Sequence, residues 1–319
     1  MPNLKSLDIL GASSKVGFII MFSGMLFVFL PLLLGYLIPL HTKKPLQHIN
    51  AATSHLVTVI LALMGLSLAA LDNLAQNLNQ ILTITVTFFV AISVCNLAIL
   101  PIMDKLFPLN SEGNKNSLPL FKMILESAKL LLAVAGGLVF GLLSGIDLSW
   151  VEQASEIILL LLLFLIGIQL RNSGLTLRQI LLNKHGIIIA AVIMSTSFVG
   201  GIIGALILDI PLPHGLAMAS GFGWYSLAGI LMGDALGPVY GGAAFLNELF
   251  RELVALLLIP TLIHRYPVTS IGYAGATAMD FTLPVIQNCG GIRCVPIAIV
   301  SGFILSLSVP FLMLFFVSL

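Results

Sequence analysis

Asn247, Glu248, Arg251 and Glu252 fall together inside one apolar run, 236–262, of a 319-residue chain. Glu248 and Glu252 are four residues apart and so stack on one helix face, with Arg251 three residues after Glu248. Two carboxylates against one guanidinium leave a net negative charge, which suits a cation site in which Arg251 tunes or anchors the acids. The plainer alternative is an internal ion pair that only neutralises a buried Arg. Asp280 lies between Thr277 and Thr282, in a stretch rich in glycine and small hydroxyl residues. A carboxylate beside unwound backbone suits an ammonium, Na⁺ or proton; alternatively it caps the half-helix that follows. Trp224 and Ser226 belong to a similar stretch, 220–229, where Trp224 and Tyr225 form either a wall for an aliphatic or cationic substrate or part of an interfacial aromatic belt. Asp72 closes an earlier apolar run and, by position alone, reads as an interfacial charge.

These groups must be positioned by helices in lipid. The chain is 59% hydrophobic and 8% charged, far from the roughly 25% charged of soluble proteins. Runs long enough to cross a bilayer, about 20 residues each, recur near 16–40, 54–71, 80–103, 121–145, 156–170, 186–208, 236–262 and 295–319. The segments 213–235 and 268–290 are more broken. Irregular backbone at membrane depth is tolerated only against protein or a watery cavity, and such breaks are where secondary transporters place their sites. The expected fold is therefore an all-α polytopic membrane protein of about eight transmembrane helices plus two re-entrant or broken segments, or alternatively ten spans. A single transmembrane domain fills 1–319, with 1–15 an N-terminal tail and 213–319 the substrate-site region. Met21 is a plausible alternative start.

Lys43, Lys44, Lys105, Lys115, Arg171, Arg178 and Lys184 occupy alternate loops, and the loops between them, 72–79, 146–155 and 209–212, carry no Lys or Arg. The positive-inside bias then puts the basic loops in the cytoplasm and both termini outside. The two three-span segments 16–103 and 121–208 echo one another. Leu63-Met64-Gly65-Leu66 matches Leu165-Ile166-Gly167-Ile168, the residues around Gly35 match those around Gly141, and Gln80-Ile81-Leu82 matches Gln179-Ile180-Leu181. An odd number of spans inverts the second copy, as many carriers do. A fainter likeness joins the two broken regions, each followed by an apolar helix that reaches a proline, Pro260 or Pro310.

Several chemistries are excluded. The sequence has no P-loop, no Gly-x-Ser-x-Gly elbow and no His-Glu-x-x-His motif, and its six histidines do not pair as metal ligands. Cys95, Cys289 and Cys294 complete no metal set and read as reduced thiols. No enzyme activity, cofactor, metal or nucleic-acid partner is expected. Asp104 and Asp209 read most simply as loop residues.

The stretches 217–226, Asn247-Glu248-Leu249 with Arg251-Glu252, and 275–284 resemble the LysO-type bacterial lysine exporters, as do Leu71-Asp72-Asn73-Leu74 and Gly167-Ile168-Gln169-Leu170-Arg171-Asn172. The likeness covers about residues 21–319. It implies export of L-lysine and toxic lysine analogues across the bacterial inner membrane, with Asp72 and one acid of the Glu248/Glu252 pair as participants in transport. The expected partners are then L-lysine, a coupling H⁺ or Na⁺ and the lipid bilayer, with proton antiport the expected coupling; a homo-oligomer stays open. The expected site is Asp72, Glu248, Arg251, Glu252, Asp280, Trp224, Ser226 and Thr282, with half-helix N-termini holding the substrate carboxylate. A Na⁺/H⁺ exchanger without an amino-acid substrate and a non-transporting membrane subunit are the alternatives.

Overall fold

The structure, a computed structural model, describes residues 30–40, 43–70, 74–109, 111, 120–172, 183–291 and 293–319. The tail 1–15, Met21 and Asp72 lie outside the described residues. All regular structure among the described residues is helical. A helical segment over 30–36 precedes α1 (Lys43–Ala69), α2 (Leu74–Leu106), α3 (Leu120–Ser144), α4 (Val151–Arg171) and α5 (Lys184–Leu208). The chain then breaks: α6 (Leu212–Met218), a 3₁₀ turn over Ala219–Gly221, and α7 (Tyr225–Leu236). α8 (Pro238–Leu262) is continuous. A second break follows, with α9 (Pro267–Ala274), a 3₁₀ turn over Gly275–Met279 and α10 (Leu283–Gly290), before the closing helix α11 (Val295–Val317).

Four of these helices, Lys44–Ala69, Ala75–Leu106, Lys184–Leu208 and Val295–Val317, are long and apolar enough to cross a membrane. Their outer faces carry large exposed aliphatic side chains such as Val90, Val94 and Leu206. That is costly in water and neutral in lipid, so the exposed faces fit a bilayer.

Contacts fix which way each helix runs. Asn96 of α2 meets Thr196 of α5, while Gly200 abuts Ile92 and Gly204 abuts Phe88, so α2 and α5 are antiparallel. α8 runs parallel to α2, with Gly242 beside Ile81, the Ala243 carbonyl accepting from Thr85, and Phe250 against Phe89. α6 folds back along the end of α5, where Gly215 meets Gly201 and Ala205. α7 then returns along the start of α8, with Gly229 against Phe245 and Gly233 near Gly241. The α6–α7 hairpin thus leaves and re-enters at the same end of the bundle. The α9–α10 hairpin does the same from the other end. Val268 and Thr269 sit at Asp104 near the end of α2, and Gly290 lies against Ile263 at the end of α8. The second broken stretch, read as 268–290, is this hairpin; the first, read as 213–235, is the other.

The two ends of the bundle differ in charge. Lys44, Lys105, Arg171, Lys184, Arg265 and Arg293 gather at the end where α9 starts. Asp147, Asp209 and Asp234 gather at the end where α6 starts.

Helices 30–36, α1, α3 and α4 form a side bundle whose closest contacts are made by glycine. The Gly65 Cα faces Val134 and Leu138 of α3; the Gly167 Cα faces Leu32 and Tyr36. Gly35 faces Phe164, and Gly137 faces Ala62. Every residue in one pair has its counterpart 102 positions along the chain in the other pair. The Gly65–Gly167 correspondence agrees with the sequence echo. Gly35 and Gly137 share that 102-residue offset in their contacts, whereas Gly141, which the sequence echo sets against Gly35, has its Cα facing Ala69 and Leu66. Backbone-to-backbone approach selects the glycine, and sequence similarity between leucine-rich turns does not.

Asp104 is no loop residue. It sits in the last turn of α2, buried, and accepts from the Val268 and Thr269 N–H groups at 2.7 and 2.9 Å and from the Thr269 hydroxyl at 2.6 Å. It caps α9 from another helix, satisfying donors that the first turn leaves open.

Candidate functional site

The two hairpins meet tip to tip at the depth where both are unwound. The Phe222 carbonyl accepts from Ala276 N–H at 2.8 Å. Phe222 and Gly223 have φ of 46° and 98°, and Gly275 has φ of 65°. Gly275 packs its Cα directly onto the Phe222 carbonyl, where a Cβ has no room. Here glycine is needed on both counts, conformation and approach.

α8 passes this junction at its midpoint. The Glu248 carboxylate reaches the first tip, where Gly223 N–H donates to Oε2. Arg251 Nη1 donates to the same oxygen at 2.9 Å, and Asn247 Nδ2 donates to Oε1 at 2.9 Å. Asn247, Glu248, Arg251 and Glu252 are all buried. A side chain at Gly221 would collide with Glu248, at 2.7–2.8 Å from three of its atoms. The first tip is therefore shaped around this carboxylate.

The expected site residues are not all brought to one point. Glu248, Arg251 and the peptides just before Trp224 form a single hydrogen-bonded unit. Ser226 is buried in the first turn of α7, next to Tyr225, which stacks edge-on to Phe245 of α8. Thr282 is buried in the second hairpin and donates to the Thr277 carbonyl at 3.0 Å. Asp280 is exposed at the second tip and accepts only from its neighbour, Phe281 N–H, among the bonds described. It does not cap α10, whose N-cap Thr282 makes no side-chain cap bond. Trp224 is the N-cap of α7, at the hairpin tip beside Gly223.

Sequence reading missed a buried polar cluster between α2 and α5. Asn96 accepts from Thr196 Oγ1 at 2.6 Å and Ser197 Oγ at 3.4 Å, and Ser93 pairs with the Tyr273 hydroxyl at 2.8 Å. The signal was an Asn in the middle of the apolar run 80–103. A cavity of about 670 Å³ opens elsewhere, between α1, the α3–α4 turn and α7, with Asp147 and Asp234 in its lining. Hydrogen bonds from the Ser149 N–H and hydroxyl hold Asp147 below the usual carboxylate range. None of Asn247, Glu248, Arg251 or Asp280 lines that cavity. Cys95, Cys289 and Cys294 are unpaired thiols.

Apolar helices, opposed broken hairpins and a buried charged group at their junction define a polytopic membrane transport protein. Residues 131–317 match the model of the lysine exporter LysO family. Over 297 residues the chain is 52% identical to the lysine exporter LysO of Escherichia coli, covering 93% of this chain and 99% of that one. It is 45% identical over 190 residues to a putative lysine exporter of Haemophilus influenzae, covering 60% of this chain and 97% of that one. This chain belongs to the LysO family of lysine exporters. No solved structure matches it.

Proposed function

We propose that this protein exports L-lysine, and toxic lysine analogues with it, across the bacterial inner membrane by ion-coupled secondary transport, with proton antiport as the coupling. The relatives named lysine exporters support the substrate. The observation that carries the mechanism is the Glu248 carboxylate clasping the Gly223 peptide at the junction of two opposed hairpins. A carboxylate in that position can exchange a proton for a substrate ammonium, and the exchange changes its hold on the tip. Glu248 and Arg251 are the centre of the proposed site, with Glu252, Asp280, Trp224, Ser226, Thr282 and Asp72 as its further proposed members.

The proposed topology is eight spans and two re-entrant hairpins, with the basic end cytoplasmic and both termini outside. The charge difference between the ends supports that orientation. The proposed architecture contains inverted repeats, 16–103 with 121–208, supported by the glycine contacts related by 102 positions. Hairpin plus helix, 212–262 and 267–317, makes a second pair running in opposite directions.

The test is lysine efflux from proteoliposomes holding the purified protein, with a pH gradient imposed or collapsed and Na⁺ present or absent. Lysine movement that follows the pH gradient is expected. Movement that follows Na⁺ alone replaces the coupling ion, and no lysine movement under any gradient overturns the reading.

A further inference from the structure

Arg251 is fully buried and uses one nitrogen only: Nη1 donates to Glu248, while Nε and Nη2 have no hydrogen-bond partner. Those two atoms belong together. Nε–H and the neighbouring Nη2–H form the side-on edge of the guanidinium, two parallel donors spaced for the two oxygens of one carboxylate. One helical turn earlier, on the same face of α8, Asn247 gives its Nδ2 to Glu248 and keeps a buried Oδ1 without a partner. Buried polar groups are nearly always satisfied, so two open atoms on one guanidinium and one on its neighbour call for an explanation. An arginine present only to balance Glu248 would leave no reason for an open edge.

We propose that Arg251 and Asn247 read the α-amino-acid headgroup of the substrate. The side-on edge of Arg251 takes the α-carboxylate, and Asn247 Oδ1 accepts from the α-ammonium. The two groups hang from one carbon in the substrate, and their counterparts lie one turn apart on one helix face. Glu248 sits between them, already bonded to both residues, and fixes their rotamers. The headgroup is thus assigned to α8, where the open donors and acceptor lie on side chains already fixed by Glu248. The tight fit of Gly221 against Glu248 means that the first hairpin tip withdraws to admit the headgroup.

This inference rests on the lysine-export reading, and the experiment separates the two. Counterflow of labelled L-lysine is measured in proteoliposomes against three probes: 1,5-diaminopentane, which lacks the carboxylate, L-lysine methyl ester, which masks it, and 6-aminohexanoate, which lacks the α-ammonium. Wild-type protein is expected to prefer lysine over the diamine and the ester by about a hundredfold or more, as sites built on buried hydrogen bonds do. Arg251→Lys keeps the charge and loses the fork; it is expected to weaken lysine towards the level of the diamine, so that the ratio of lysine to diamine use falls towards one. Lysine counterflow with equal use of the diamine by the wild type overturns the headgroup assignment alone, and that result needs no variant to fold. Full lysine preference in Arg251→Lys overturns it too. No lysine counterflow in the wild type overturns the export reading and this inference with it.

Discussion

Glu248 and Gly223 are 25 residues apart in the chain, yet the carboxylate of one accepts the backbone N–H of the other at the point where two helices are broken. A side chain from a continuous helix thereby holds the tip of a discontinuous one. Arg251 shares that oxygen, so charge balance and backbone position are linked in one contact.

Glu248→Gln keeps the shape and removes the charge that balances Arg251. Breaking a buried pair from one side costs about 3–5 kcal/mol. The variant is expected to unfold earlier on heating in detergent and to lose lysine efflux. Glu248→Gln with Arg251→Met is expected to regain stability without regaining efflux. Full efflux from either variant would remove Glu248 from the transport site.

Gly275→Ala puts a Cβ onto the Phe222 carbonyl and asks a non-glycine residue to hold φ of 65°. Strained backbone of this kind costs about 1–3 kcal/mol. The expected result is a lower unfolding temperature and faster amide exchange at both hairpin tips. Unchanged exchange at the first tip would mean that the two are not packed on one another.

Asp104→Ala removes the acceptor for two backbone N–H groups and a hydroxyl at the start of α9. Loss of a cap costs about 0.5–2 kcal/mol. Faster exchange is expected over 267–274, with the first hairpin unaffected. Equal loosening of both hairpins would contradict a local capping role.

Gly65→Val and Gly167→Val each drive a branched side chain into a facing backbone. Overpacking of a close contact costs about 1–3 kcal/mol. If the two positions are equivalents in a repeat, their unfolding temperatures fall by similar amounts, measured on purified protein. A large loss for one and none for the other would argue against the repeat.

Leu212→Cys and Ala235→Cys, made after replacing Cys95, Cys289 and Cys294 with Ser, place single thiols at the two bases of the first hairpin. Both residues are exposed. An impermeant maleimide is expected to label both from the outer face of intact cells with a permeabilised outer membrane. Labelling of one only would make that segment a full crossing.

Much of this molecule was legible before its structure. Apolar run length determined the helices α1 to α5, α8 and α11, because helices in lipid must satisfy their own backbone. Glycine and hydroxyl clusters marked both breaks to within a residue or two of the observed hairpins, since local chemistry decides where a helix stops. Alternation of Lys and Arg predicted the charge difference between the two ends. The spacing Glu248–Arg251 announced their pairing, because residues three apart share a helix face.

Other features depended on contacts far apart in sequence. A break says that a helix ends and not where the next half goes, so the return of α7 and α10 to their starting ends was decided by packing along α8, α11 and Ile263. Asp104 became a cap because the fold brings residue 268 beside it, 164 positions away. That Gly35 meets Phe164 while Gly137 meets Ala62 emerged from which backbone approaches which, information that similar leucine-rich strings do not contain. The sequence determined the helices and their breaks through local and solvent-driven preferences; the tertiary structure decided which broken end meets which side chain, because that depends on shapes fitting across the whole bundle.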